Sequence, residues 1–234
     1  MEKSRVTIQY GSKPYLLIAP HGYHGDDYNT DIITERIASV LNCNAIINHG
    51  WQKSERLDID KDKANCNNVS HMRDVVADEF LYPVLRTANT IAKRNGICIV
   101  VWIHGIANQI RQITNEKNLD MIFGNGAGKN YNSFSCPLSL KEYVIYMLHQ
   151  NGMKCYDSAP GSMYSGFGHN NMNQLWVRHY PDIKIHSFQM EIIKELREDE
   201  TISLLTAEYM ADAFKNMVNY KTWVRPSHVF YKKV

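Results

Sequence analysis

The sequence lacks most features that mark a secreted, membrane-bound or nucleic-acid-binding protein. Its five cysteines, Cys43, Cys66, Cys98, Cys136 and Cys155, are scattered, odd in number and never spaced Cys-x-x-Cys. That pattern argues against a thiolate zinc site and fits free thiols in a reducing compartment. Long apolar runs are missing as well. The longest, Ile97 to Ile103, is far shorter than the roughly 20 residues that cross a bilayer. Met1 to Gly11 alternates in polarity without a continuous apolar core, so it does not read as a signal peptide, and the expected location is cytoplasmic. An excess of one charge sign is also absent: 26 Lys and Arg stand against 24 Asp and Glu, a net charge of +2. With no basic run and no RNP-like aromatic pattern, neither nucleic acid nor a membrane surface is expected as a partner.

What the sequence does contain is globular. Forty-four per cent of its 234 residues are apolar and 21% are charged, enough for a sizeable core. No repeat, low-complexity tract or Pro/Ser-rich linker interrupts it, so residues 1–234 are read as one domain. Tyr15 to Ala19 is a short apolar run closed by Pro20, as in a buried strand. Ile33, Ile37, Val40 and Leu41 recur at helical spacing up to Asn44, before a strand-like Ala45 to Asn48. Val76, Phe80, Val84, Ala88, Ile91 and Ala92 share one face of a long helix that Pro83 would kink and Asn95-Gly96 would stop. Ile97 to Ile103 reads as a central strand, and Leu119 to Phe123 as a second apolar run. Ser139 and Glu142 form a capping-box pattern opening a helix that Asn151-Gly152 closes. Then follow a short helix around Asn173 to Val177, a strand over Ile183 to Met190 and an amphipathic helix over Ile202 to Val218. Strands alternating with helices predict an α/β sheet covered on both faces, with Tyr15–Ala19, Ile97–Ile103 and Ile183–Met190 in its interior.

Three polar clusters stand at the ends of three strand candidates: Pro20-His21-Gly22-Tyr23-His24-Gly25-Asp26-Asp27, His104-Gly105 and Gln189-Met190-Glu191. Ligands of open α/β sheets bind beyond the carboxyl ends of the strands, so these segments can meet at one crevice. Two imidazoles and a carboxylate are the ligand set zinc takes when it keeps a position open for water. His21 and His104 are the two histidines of that set, and Asp26, Asp27 and His24 compete for the third place. Glu191 lies at a strand end two sheet connections from His104. A carboxylate in that setting is costly without a partner or a function, which leaves a general base or a structural ion pair. His49, His71, His149, His179 and His228 lie in polar or helical contexts and are expected to face solvent. The glycine-rich stretch Gly124 to Gly128 lacks the spacing of a phosphate loop, and no Ser or Thr follows Lys129, so it is read as a tight turn beside the site.

Ala19-Pro20-His21-Gly22, the acid five residues after His21, the apolar strand ending in His104-Gly105, and Ser187-Phe188-Gln189-Met190-Glu191 together resemble the N-formylglutamate amidohydrolase family. Its wider relatives are the phage poly-γ-glutamate hydrolases and, more remotely, the zinc carboxypeptidases. Asp58-Ile59-Asp60-Lys61 resembles a degenerate form of the family's Asp-x-Asn-Arg segment, with Lys61 in place of the arginine. Tyr164 to Gln174 resembles its loop before the last core strand. The resemblance implies a phosphorylase/hydrolase-like fold, a three-layer α/β sandwich with a central mixed sheet. It also implies one zinc ion per chain held by His21, Asp26 and His104, with Asp26 standing where relatives commonly have Glu, and Glu191 as general base. The expected reaction is cleavage of the amide bond of an N-acyl amino acid such as N-formylglutamate. Alternatives are hydrolysis of γ-glutamyl or other peptide bonds, and a metal-binding module without catalysis. The substrate would be a small molecule or short peptide carrying a carboxylate, with Arg56 and Arg178 as candidates to hold it or the developing oxyanion. Assembly as a homo-oligomer is left open.

Overall fold

The computed structural model describes residues 4–54, 63–130, 133–181 and 184–224. Seven strands form one sheet: β1 (Val6–Gln9), β2 (Tyr15–Ala19), β3 (Asn44–Asn48), β4 (Cys98–Ile106), β5 (Met121–Gly124), β6 (Cys155–Asp157) and β7 (Ile185–Ile193), in the order β1-β3-β2-β4-β7-β5-β6. Strands β3, β2, β4 and β7 run parallel; β1 on β3 and β5 on β7 are antiparallel, and the sheet is mixed. The three strands expected in the interior are there.

Strands buried on both faces need apolar residues at every position, and their alternation sorts the core into two layers. On one face Leu17, Ala19, Val101, Ile103, Phe188 and Met190 meet the helices α1 (Thr30–Leu41), α5 (Leu138–Gln150) and α7 (Glu200–Phe214). On the other, Leu16, Ile18, Val100 and Trp102 meet α3 (Tyr82–Asn95) and α6 (Leu175–His179). The result is helix, sheet, helix, as expected. All five cysteines are free and buried among these layers.

Several boundaries differ from the sequence reading. Asn42, at φ 50°, ends α1 two residues before Asn44, which already belongs to β3. The long helix is broken into α2 (Asp74–Val76), a π-helical segment over Ala77–Leu81, and α3. Pro83 explains the wide turn: it offers no N–H to the carbonyl four residues back, and its ring crowds that carbonyl. The capping box does not form. The N-cap of α5 is Pro137, without a side-chain cap, which places Ser139 inside the helix. A short α4 (Ile110–Ile113) follows β4. Most consequential, β4 runs on through His104 to Ile106 and β7 through Glu191 to Ile193. These two strands are neighbours in parallel register with His104 opposite Glu191, so the expected separation of two sheet connections is corrected to none.

Candidate metal centre

The carboxyl ends of β2, β4 and β7 deliver the site. His21 follows β2 by two residues, in a segment pinned by Asn48, whose buried amide donates to the carbonyls of Pro20 and Trp51 at 2.8 Å each. Gly22 passes so close to β3 that a Cβ there would lie 2.9 Å from the Asn48 carbonyl oxygen, which is why the residue after His21 has no side chain. The chain then curls back. The Asp26 N–H donates to Tyr23 O and the Asp27 N–H to His21 O, while Thr30 bonds the Asp27 carbonyl through its N–H and its hydroxyl. This turn brings Asp27, not Asp26, over the histidine.

Asp27 Oδ2 lies 3.1 Å from His21 Nδ1 and 3.5 Å from His104 Nδ1. Both histidines are only 3% exposed. One donor atom from each of these residues falls within 4.8 Å of the others, and no second group of this kind occurs among the described residues. The acid that the structure groups with the two histidines is thus Asp27, one of the competing candidates, and not Asp26. The Asp26 carboxylate instead accepts the Lys53 backbone N–H at 2.6 Å, and His24 is exposed against the Tyr28 ring. Ligands about 2.0–2.1 Å from a tetrahedral zinc ion stand about 3.3 Å from one another, and the two imidazole-to-carboxylate separations are of that size. The far side of His21 is also held: Nε2 lies 2.9 Å from Asn65 Oδ1. His104 Nε2 is buried and has no hydrogen-bond partner among the described residues.

Electrostatics sharpen the grouping. Burial alone would raise the Asp27 carboxyl, but the close approach of His104 and His21 outweighs it and holds the group well below the usual carboxylate range. Burial pushes His104 down to about 4 against the pull of Asp27, so it is a neutral imidazole with a lone pair to offer at neutral pH. Glu191 faces the same cavity. Burial, reinforced by the negative charge of Asp27, lifts it to about 8, while Lys53 and Arg197 pull the other way. Its Oε1 accepts from Gln189 Nε2 at 3.0 Å, an amide that also donates to the Tyr164 carbonyl.

The cavity, about 360 Å³, is lined by His21, Asp27, His104 and Glu191 together with Lys53, Tyr164 and others, and Lys53 is the one Lys or Arg lining it among the described residues. Arg178 is not part of it. Helix α6 buries Leu175 and Trp176 and turns Arg178 to solvent, where it bonds His169 and the Phe167 carbonyl. Arg56 and the segment Asp58–Lys61 lie outside the described residues, as does His228. His71 is buried, contrary to expectation, while His49 and His179 are exposed. No residue pattern pointed to Arg197. Its buried guanidinium bonds the carbonyls of Tyr28, Ile192 and Ile106, tying the Asp27 turn to the ends of β7 and β4.

No protein-family model matches the sequence, and no curated protein matches it. Solved structures do. An N-formylglutamate amidohydrolase from Ralstonia eutropha is 13% identical and superposes with a TM-score of 0.63, over 93% of this chain and 98% of that one. A bacteriophage poly-gamma-glutamate hydrolase is 12% identical at 0.54, over 93% and 88%. A metallo-carboxypeptidase from Burkholderia cenocepacia is 9% identical at 0.51, over 94% of this chain and 66% of that chain. At such low identity the likeness is one of fold: the chain shares with these structures a mixed sheet covered by helices on both faces.

Proposed function

We propose that this protein is a metal-dependent hydrolase of amide bonds, with one zinc ion held by His21 Nδ1, Asp27 Oδ2 and His104 Nδ1. The observation that carries the reading is the convergence of those three donor atoms beside a separate carboxylate, Glu191, on the adjacent strand. A zinc ion at such a site supplies Lewis acidity, polarising a carbonyl and making water a stronger nucleophile at neutral pH. The charge of a divalent ion beside it would offset the burial and the Asp27 charge that lift Glu191 to about 8, leaving a carboxylate that takes the proton from the attacking water and passes it to the leaving amine. The hydrogen bond from Gln189 holds the Glu191 carboxylate in place for that transfer. Lys53 offers the positive charge that draws a carboxylate-bearing substrate to the site.

Hydrolysis of an N-acyl amino acid such as N-formylglutamate is the first reading. Cleavage of γ-glutamyl or other peptide bonds is the second, and one observation favours it: Ile113 and Met163, 77% and 78% exposed, both line this cavity. Large apolar side chains left bare at the mouth of a polar site suit a longer substrate with an apolar portion. Elemental analysis of protein purified without added metal, followed by turnover of a panel of N-acyl amino acids and peptides, tests the proposal. About one zinc per chain is expected, lost on His21→Ala or His104→Ala, with turnover that follows the metal. Zinc without turnover on any amide would leave a binding module, and full occupancy in the double variant would sink the metal site.

A further inference from the structure

The two histidines of the site are held differently, and the difference lies on their outer nitrogens. His21 Nε2 is 2.9 Å from Asn65 Oδ1, whereas His104 Nε2 has no partner among the described residues. The orientation of the Asn65 amide is fixed by a second bond, since the same Oδ1 accepts the Asn67 backbone N–H at 3.0 Å. An amide NH2 turned to that position would face a donor, so the atom there is the carbonyl oxygen. An oxygen that is only an acceptor requires His21 Nε2 to carry hydrogen. His21 Nδ1 then has its lone pair directed at Asp27 Oδ2, 3.1 Å away. Two acceptors at that separation repel each other unless a proton or a cation lies between them.

We propose that Asn65 is a positioning residue, which fixes His21 as the Nε2–H tautomer and so presents Nδ1 to the metal ion. The inference rests on the metal site proposed above. The segment around Asn65 suits this role, because Asn65 is buried and its turn is closed by a hydrogen bond from the Asn68 N–H to the Asn65 carbonyl. A neutral imidazole in water exchanges between two tautomers and rotates about its χ angles. A fixed acceptor behind the ring removes that freedom before the ion arrives, and an outer partner of this kind commonly changes metal affinity by about 10- to 100-fold. Among the described residues His104 Nε2 has no such guide; that ring is held by burial and by Asp27 on its Nδ1 side.

Asn65→Ser separates this role from that of the turn. A serine hydroxyl can still accept the N–H two residues on, as an asparagine does, but it is too short to reach His21. Zinc affinity, read by competition with a chromophoric chelator, should fall about 10- to 100-fold in Asn65→Ser and recover to near the wild-type value in Asn65→Asp. In the zinc-loaded protein, the proton on His21 Nε2, seen by its coupling to 15N, should resonate downfield in wild type and Asn65→Asp and move upfield in Asn65→Ser. Asn65→Leu serves as a second variant without an acceptor if the serine variant does not fold. Wild-type affinity and an unmoved Nε2 proton in either variant would overturn the role of Asn65 while leaving the metal site standing. Failure of the wild-type protein to bind zinc would remove the metal site, and this inference with it.

Discussion

Asp26 and Asp27 are adjacent, chemically identical and equally placed in the sequence, yet the backbone gives them different roles. The bond from the Asp27 N–H to His21 O folds that residue over the imidazole, and Asp26 faces the Lys53 N–H instead. Asp27→Asn should therefore lower zinc affinity by at least about tenfold, and Asp26→Asn should leave it within a few-fold of wild type, as read by chelator competition. The reverse ranking would restore the assignment drawn from the family resemblance. Glu191→Gln keeps shape and hydrogen-bonding capacity but removes the basic oxygen, so turnover should drop about 10²- to 10⁴-fold with zinc content unchanged. Loss of zinc in that variant would make Glu191 a ligand. His21, His104 and Glu191 stood out in the sequence because polar residues at the ends of apolar strands are conspicuous. Which of two neighbouring acids turns inward depends on backbone hydrogen bonds that no residue pattern encodes. Asn65 and Arg197 were not visible at all, because each acts on groups far away in the chain: Asn65 on His21, and Arg197 on carbonyls of three segments.

Among the elements, β2, β3 and β4 were legible because strands covered on both faces are mostly apolar, and β7 because its apolar residues alternate with polar ones. β1 and β6 escaped notice. They lie at the two edges of the sheet and span only four and three residues, too short for a period to show. The extension of β4 past Ile103 was hidden because His104 and Gly105 are not strand-like residues, and their place is set by pairing with β7. Gly105 has a further constraint. A Cβ there would fall 2.3 Å from Cζ of Arg197, the guanidinium that ties three segments around the site. Gly105→Ala should displace that side chain and destabilise the fold by about 1–3 kcal/mol, with weaker zinc binding because the Asp27 turn loses its anchor. Urea unfolding checks the first effect. A midpoint equal to that of wild type would show that Arg197 has room to move.

Across the whole molecule, stability should depend on pH through at least one group outside the site. His186 is partly buried with Nε2 2.9 Å from the Tyr220 hydroxyl, and burial, aided by the charge of Lys221, lowers it from the ordinary 6.5 to about 4. The folded chain thus holds this ring neutral where the unfolded chain takes up a proton. Nothing is lost above about pH 6.5; stability declines as pH falls from there towards 4, and below that both states are protonated and the decline from this group ends. Comparing urea midpoints at pH 8 and pH 5 in wild type and His186→Gln isolates the contribution, and an equal decline in both would assign it elsewhere. The buried cysteines carry a different consequence. Burial raises all five thiols, so in the native state they are shielded from reagents and held in their unreactive protonated form. Cys43, Cys136 and Cys155 sit in one core layer, and Cys66 and Cys98 in the other. The protein therefore carries its own reporters of opening, distributed on both sides of the sheet. In mild denaturant, a thiol-reactive dye should label all five in a single kinetic phase if the two layers come apart as one cooperative unit, and in two phases if one layer can open while the other stays closed.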